Sequence, residues 1–219
     1  MRFLTLPAAL LCSASPLAAQ QFTGGELGFE YNQSFEDSDI DGTSYFAGVE
    51  MAINREFSFG LDLADIDGAD VSTQATLHGM YHLNDISTVG AYYSYKDEDA
   101  SGFGIEGGIE IWGGDISGHI GRVSVGDESV FVFGFDSNNQ IADSSFSLFS
   151  DFDLVSDDEV AVSTNELGVE YNFPAGADVY ALYGQASAFT DGASGSTDYY
   201  GIGARIRFGA ERGTTFSAR

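Results

Sequence analysis

Apolar residues recur at every second position over most of this chain. That is the spacing of strands with one face in an apolar medium and the other in a polar one. Leu27, Phe29 and Tyr31 alternate with Glu26, Gly28, Glu30 and Asn32. Tyr45, Ala47, Val49, Met51 and Ile53 alternate with Ser44, Phe46, Gly48, Glu50 and Ala52. Phe57, Phe59, Leu61 and Leu63 oppose Ser58, Gly60 and Asp62. A longer segment from Val71 to Leu83 sets Leu77, Tyr81 and Leu83 opposite Gln74, Thr76, His78 and His82. Further strands are predicted near Ser87–Tyr95, Gly102–Trp112, Ile116–Val125, Val160–Phe173, Asp178–Ala188 and Asp198–Phe208.

A water-soluble sandwich would alternate too. Three features select an all-β, transmembrane, antiparallel up-and-down β-barrel instead. The segments approach the roughly 9–11 residues of a tilted membrane-spanning strand, longer than the usual five or six or so. The connections alternate in character. Asn54-Arg55-Glu56, Asn84-Asp85, Gly113-Gly114 and Pro174-Ala175-Gly176-Ala177 are short turns, while Glu36–Gly42, Asp65–Asp70, Lys96–Ser101 and Thr190–Thr197 are longer acidic links. Short periplasmic turns facing longer outer loops mark such barrels. Aromatics also gather near strand ends, as interfacial girdles do: Tyr45, Phe57, Tyr95, Trp112, Phe173, Tyr199, Tyr200 and Phe208.

Residues 126–158 leave the strand count open. Ser129–Phe135 fits a strand, and Asp136-Ser137-Asn138-Asn139 suits a turn. Phe146, Leu148, Phe152 and Leu154 then form a second strand before an acidic link at Ser156–Glu159. This gives 12 strands, the preferred count; the same stretch as one loop folded into the bore leaves 10. Either even count puts both chain ends on one side of the membrane.

The ends and the composition fit a secreted barrel. Arg2 is a minimal positive region, Phe3 to Leu11 a short apolar run, and Ala18-Ala19 a small-residue cleavage site before Gln20. Residues 1–19 are therefore expected to be a signal peptide and residues 20–219 one outer-membrane barrel domain. Cys12, the only cysteine, would leave with the signal. The 34 acidic against 8 basic residues give a formal charge of -26, which argues against a nucleic-acid partner. A hydrophobic fraction of 43% argues against disorder.

Parity along each strand places Glu26, Glu30, Glu50, Asp62, Glu106, Glu110, Glu166 and Glu170 on the inner face, with Arg205, Arg207 and, as a further candidate, Arg122. Rings of carboxylate favour cations; the plainer alternative is an interior plugged by its own paired side chains. His78 and His82 also face inward. Four residues apart on a strand they are roughly 13 Å apart, too far for one ion. No GxSxG elbow is present, and no catalytic residues are assigned. Asp37, Asp39 and Asp41 match the first half of a calcium loop, but Gly48 stands where the bidentate glutamate belongs. A solvated acidic turn is the simpler account, with weak Ca2+ binding as the alternative and no other cofactor expected. Glu26–Asn32 (ELGFEYN) is echoed by Glu166–Asn172 (ELGVEYN), as equivalent strands of one barrel would be.

Three patches carry a resemblance to the porin-like outer-membrane proteins of alphaproteobacteria. GELGFEYN (Gly25–Asn32) resembles a porin opening strand, and HIGRVSVGD (His119–Asp127) is similar to the strand before the constriction loop. DYYGIGARIRF (Asp198–Phe208) looks like a terminal strand read by the barrel-assembly machinery, with Tyr200, Ile202, Ala204, Ile206 and Phe208 on one face. The chain departs in being shorter than a full-sized porin and in running past Phe208 into GAERGTTFSAR, where Phe216 is a second candidate terminal aromatic. The resemblance implies a non-enzymatic channel in the cell outer membrane, with lipid, lipopolysaccharide and the assembly machinery as partners. Its solutes would be ions or small polar molecules, cations preferred. The alternative is a non-conducting structural or adhesive barrel with acidic surface loops.

Closing such a barrel makes the first and last strands antiparallel neighbours. A carboxylate–guanidinium cluster is then expected inside, from Glu26 and Glu30 to Arg205 and Arg207. A closed barrel has no open strand edge for detergent to attack. The chain should therefore migrate at two apparent sizes on a gel, depending on boiling. Identical migration, with full solubility in the absence of detergent, would overturn the membrane assignment.

Overall fold

The computed structural model describes residues 21–35, 41–67, 72–96, 100–126, 128–157, 159–209 and 215. It contains 12 strands: β1 (Gln21–Ser34), β2 (Gly42–Ala52), β3 (Phe57–Asp67), β4 (Ser72–Asn84), β5 (Ser87–Lys96), β6 (Ala100–Ile111), β7 (Gly114–Val125), β8 (Glu128–Gln140), β9 (Phe146–Ser156), β10 (Val160–Asn172), β11 (Ala177–Thr190) and β12 (Ala193–Gly209). Each pairs antiparallel with its neighbours in sequence, and β1 pairs with β12, closing the barrel. Residues 126–158 supply two wall strands rather than an infolded loop.

The alternation in the sequence becomes an inside and an outside. Leu27, Phe103 and Ile105 are more than half exposed on the outer surface, whereas Glu26 and Glu170 inside are 2% exposed. A water-soluble protein rarely leaves so continuous an apolar surface uncovered; a barrel in lipid requires it. Aromatic contacts cluster at both rims of this belt. At the basal end, where β1 begins and β12 ends, Phe57 meets Tyr81 (4.9 Å between ring centres), Phe146 meets Tyr171 (5.0 Å) and Phe22 stacks near Phe208 (6.0 Å). At the apical end Phe35 lies 5.4 Å from Tyr200.

Basal turns are built by local chemistry. Asn54 Oδ1 accepts from the amides of Glu56 (2.8 Å) and Phe57 (2.9 Å), and Asn84 Oδ1 from that of Ile86 (2.9 Å). Gly176 takes φ +79° in the turn before β11. Several boundaries differ from the sequence expectation. The β6–β7 loop is Trp112-Gly113, both with positive φ (54° and 79°), rather than Gly113-Gly114. That geometry matches the two-residue hairpin loops whose twist suits a sheet, and it leaves the Trp112 ring 98% exposed at the basal rim.

Asp136-Ser137-Asn138-Asn139 is strand, not turn; β8 runs on to Gln140. Its Asp136 and Asn138 face inward, where Ser117 and Glu170 bind them. The apical links are shorter than expected. Thr190–Thr197 tightens to an Asp191-Gly192 loop, with Gly192 at φ +104°, because the small residues from Ala193 onward pair with β11. Likewise β3 continues to Asp67, and β6 starts at Ala100. Ladder pairing uses only backbone groups, so polar side chains do not end a strand.

Asp157 organises the apical β9–β10 link. Its carboxylate accepts from the amides of Val160 and Glu159, both at 2.7 Å. These bonds hold the carboxyl below its ordinary value of 3.8. The folded pKa is the lower one, so the contribution is present at neutral pH and is lost as pH falls through that folded value. Hydrogen-exchange protection at Glu159 and Val160 should drop in Asp157→Ala at neutral pH. In the parent chain it should drop only below the ordinary carboxylate range, and Asp157→Asn should abolish that pH dependence. Equal protection in all three would refute the role.

Candidate functional site: the barrel interior

The interior holds two polar networks near its base. The first surrounds the β1–β12 seam, where Glu26 is the register partner of Arg207 and Gly28 of Arg205. Arg205 Nη1 lies 3.7 Å from Glu26 Oε2 across the seam, but its tightest partner is Glu170 on β10, at 2.6 Å. Arg207 Nη2 lies 2.6 Å from Asp178 on β11 and 3.5 Å from Glu170, and donates to Asn172 Oδ1 at 3.0 Å. Asp178 also sits 3.6 Å from Arg205 Nε. Three carboxylates, each 2% exposed, thus share two guanidiniums. The Arg fork suits such shared binding. Asp178 escaped the sequence reading because it opens its strand, although it shares parity with inward Tyr180 and pairs with Arg205. Glu30 lies apart from the arginines and accepts from Asn32 Nδ2 (2.8 Å).

The second network occupies β2 to β6. His78 is held between two carboxylates, Nε2 3.0 Å from Asp62 and Nδ1 2.9 Å from Glu106. His82 faces the same way with different partners: Nε2 lies 2.8 Å from Ser58 Oγ, and Nδ1 2.9 Å from Thr88 Oγ1. The two histidines hold separate groups rather than one ion. Glu50 lies 4.0 Å from His82 and accepts from the Thr215 amide (2.7 Å). Phe216 lies outside the described residues. The Ser58–His82 pair has the reach of a nucleophile and its base. However, Ser58 is only 1% exposed and the orienting group is the neutral Thr88, so it is a structural chain of hydrogen bonds.

The other proposed lining residues are spread out. Glu110 is half-buried beside its partner Asp115, and Glu166 accepts from the Tyr199 hydroxyl at 2.7 Å. Arg122 is a correction, because it lies on the outer face. Even positions of β7 pair with outward residues: Ile120 with Ile105 and Phe133, and Arg122 with Phe103 and Phe131. Asp37 and Asp39 lie outside the described residues. Asp41 uses Oδ1 to accept from the Ser34 amide at 2.7 Å, clasping the β1–β2 link. Among the described residues no group of three or more acidic, histidine or cysteine side chains could hold a metal.

Large inward rings are accommodated over glycines. A Cβ on Gly28 would overlap the Phe46 ring, one on Gly168 the Phe149 ring, one on Gly203 the Tyr180 ring and one on Gly184 the Tyr199 ring. Tyr92 lies over Gly104, and His119 over Gly134, in the same way. Each ring therefore lies along the wall, across its neighbour strand, rather than pointing at the barrel axis.

These features define a closed 12-stranded barrel with an apolar exterior and a polar, carboxylate-rich interior. Solved structures share its fold. A NanC porin superposes with a TM-score of 0.60 at 11% identity, over 83% of this chain and 98% of that one. A KdgM porin gives 0.58 at 8% identity, over 84% and 99%. A KdgM porin in complex with disordered oligogalacturonate gives 0.57 at 8% identity, over 84% and 99%. No family model and no curated protein matches the sequence.

Arg205 is the pivot of the seam network. Removing it would leave Glu26, Glu170 and Asp178 short of a buried counter-charge. Breaking such a pair costs about 3–5 kcal/mol. Urea unfolding of refolded protein should show Arg205→Ala destabilised on that scale, and Arg122→Ala by far less. Equal, small losses for both would remove the network from the barrel's stability.

Proposed function

We propose that the chain is a passive channel of the cell outer membrane, admitting ions and small polar solutes and preferring cations. One observation carries this reading: the bore of a closed barrel is surplus in carboxylate. Glu30, Glu50, Glu110, Asp115, Asp136, Asp153 and Glu166 add to the acids already set against Arg205, Arg207 and His78. A low-dielectric wall around like charges focuses their field and concentrates cations. The shared fold with porins supports passage. One of those structures holds oligogalacturonate, a polyanion; the interior here has the opposite preference, so acidic sugars are poor solutes for it. No catalytic step is part of the reading.

In this scheme residues 1–19 are removed on export and the apical links face outward. Arg122 then sits where the outward rows change from Ile105, Ile120 and Phe133 to Ser101, Ser124 and Ser129. That boundary suits a lipid or lipopolysaccharide headgroup. The outward face of β12, ending at Phe208, is the surface offered to the assembly machinery. A second reading, a non-conducting structural or adhesive barrel, draws on the packed cluster of Phe149, Tyr180, Leu182 and Tyr199 inside one wall.

Planar-bilayer recording of refolded protein separates the two. The channel reading expects unitary currents and a reversal potential displaced toward the cation value in a salt gradient. Neutralising Glu106 and Glu110 together should reduce that displacement. Most of the effect should come from Glu110, because the Glu106 side chain is 5% exposed and held by His78. Silence in the bilayer supports the closed barrel; anion selectivity refutes the charge argument.

A further inference from the structure

The two sides of the interior are filled unequally. At the basal half of β9 to β12, together with β1 and β2, a block of inward side chains is shut off from water. Phe46, Phe149, Tyr180, Leu182 and Tyr199 are each 4–5% exposed, and Glu26, Glu170 and Asp178 are 2% exposed. On β6 to β8 the inward rows are made of small residues and acids. Register sets His119 beside Gly134 and Asp153, Ser117 beside Asp136, and Asp115 beside Asn138, in successive rows toward the base. Inward Gly104, Gly108 and Gly121 add no bulk there. Side chains here meet water: His119 is 40% exposed and Asp153, on adjoining β9, 49%, with Asp115 exposed and Asp136 half-buried; Glu106, held by His78, is the exception.

We propose that the passage is eccentric and runs along β6 to β8 and the apical half of β9, with His119 and Asp153 at its waist and Asp136 and Asp115 along its basal course. This rests on the channel reading and names the residues that would carry it. His119 Nε2 lies 3.8 Å from Asp153 Oδ1, so the two stand together at one level, across Gly134. The His119 ring lies over Gly134, and Tyr92 meets it edge-on at 5.8 Å, which keeps both rings against the wall. Cations passing here would meet Asp153 first and Asp136 next. The eight acids predicted from parity include neither, and most of those eight lie deep in the two basal networks. On the filled side no continuous row of water-exposed inward groups runs from apex to base among the described residues.

Single cysteines test the path, because Cys12 is the chain's only cysteine and can be changed to serine in every variant. Asp153→Cys and Ser117→Cys are placed on the proposed path, and Leu182→Cys on the filled side. Ala186→Cys replaces the last if it fails to fold, as judged by the heat-dependent gel shift. Each is recorded in a bilayer before and after addition of a cationic methanethiosulfonate reagent. The expected result is a stepwise loss of current at positions 153 and 117 and no change at 182 or 186. At 153 the cationic adduct should also shift the reversal potential away from cations more than a neutral adduct of similar size. Unchanged current at 153 and 117 in a conducting barrel would overturn the path and leave the channel reading intact. Absence of current in the unmodified chain would overturn both.

Discussion

Lipid offers no hydrogen-bond partner to a peptide group, so each N–H and C=O at membrane depth must be satisfied within the protein. For strands this means a sheet with no open edge, and everything else about the chain follows from that closure. The β1–β12 register, running from Gly24 opposite Gly209 to Ser34 opposite Tyr199, completes the ladder. It also brings two ends of the chain together with fixed parity. Once Leu27 and Ile206 face lipid, Glu26 and Arg205 have no choice but to face the bore. The buried ion network at the seam is therefore a consequence of closure. It reinforces the seam because its acids come from β1, β10 and β11, so the arginines tie four strands rather than two.

The interior solves two opposing problems. A bore too full cannot conduct, and a bore lined by unpaired buried charge is costly. On the β9–β12 side the chain accepts a packed core, with rings pressed over glycines and carboxylates tied to arginine. On the β6–β8 side it uses rows of glycine and small residues, with Tyr92 and His119 laid over some of them, and leaves Asp115 and Asp136 in contact with water. Hydration there lowers the cost of the charge. Carboxylates thus do different work even on neighbouring strands: Glu170 on β10 ties strands together at the base, whereas Asp153 on β9 meets water.

Comparison with porins of known structure sharpens this division. A shared fold at about one residue in ten identical, 8–11% in the superpositions, preserves closure and alternation but little of the lining. Fold does not carry solute preference with it, since the wall is set by backbone pairing and the lining by side chains that pairing leaves unconstrained. The lining of this barrel is therefore its own, and is read from its side chains rather than from the architecture it shares.

The sequence by itself determined the fold class and the facing of most strands, because a strand's period of two is a local property. Leu27-Gly28-Phe29-Glu30-Tyr31 announces inside and outside without any knowledge of its neighbours. Local signals were weaker where polarity and parity disagree. Asp136 and Asn138 resemble a turn yet lie in the wall, since their partners Ser117 and Glu170 sit on other strands. Arg122 appeared as an inward candidate by its charge and faces out by its register. Only the tertiary structure decided which carboxylates are neutralised and which meet water. That depends on strand pairing through β11, which sets residues some 35 positions apart, Glu170 and Arg205, at 2.6 Å. It depends also on which glycine lies under which ring. Both are properties of register between strands, and no periodicity within a strand encodes them.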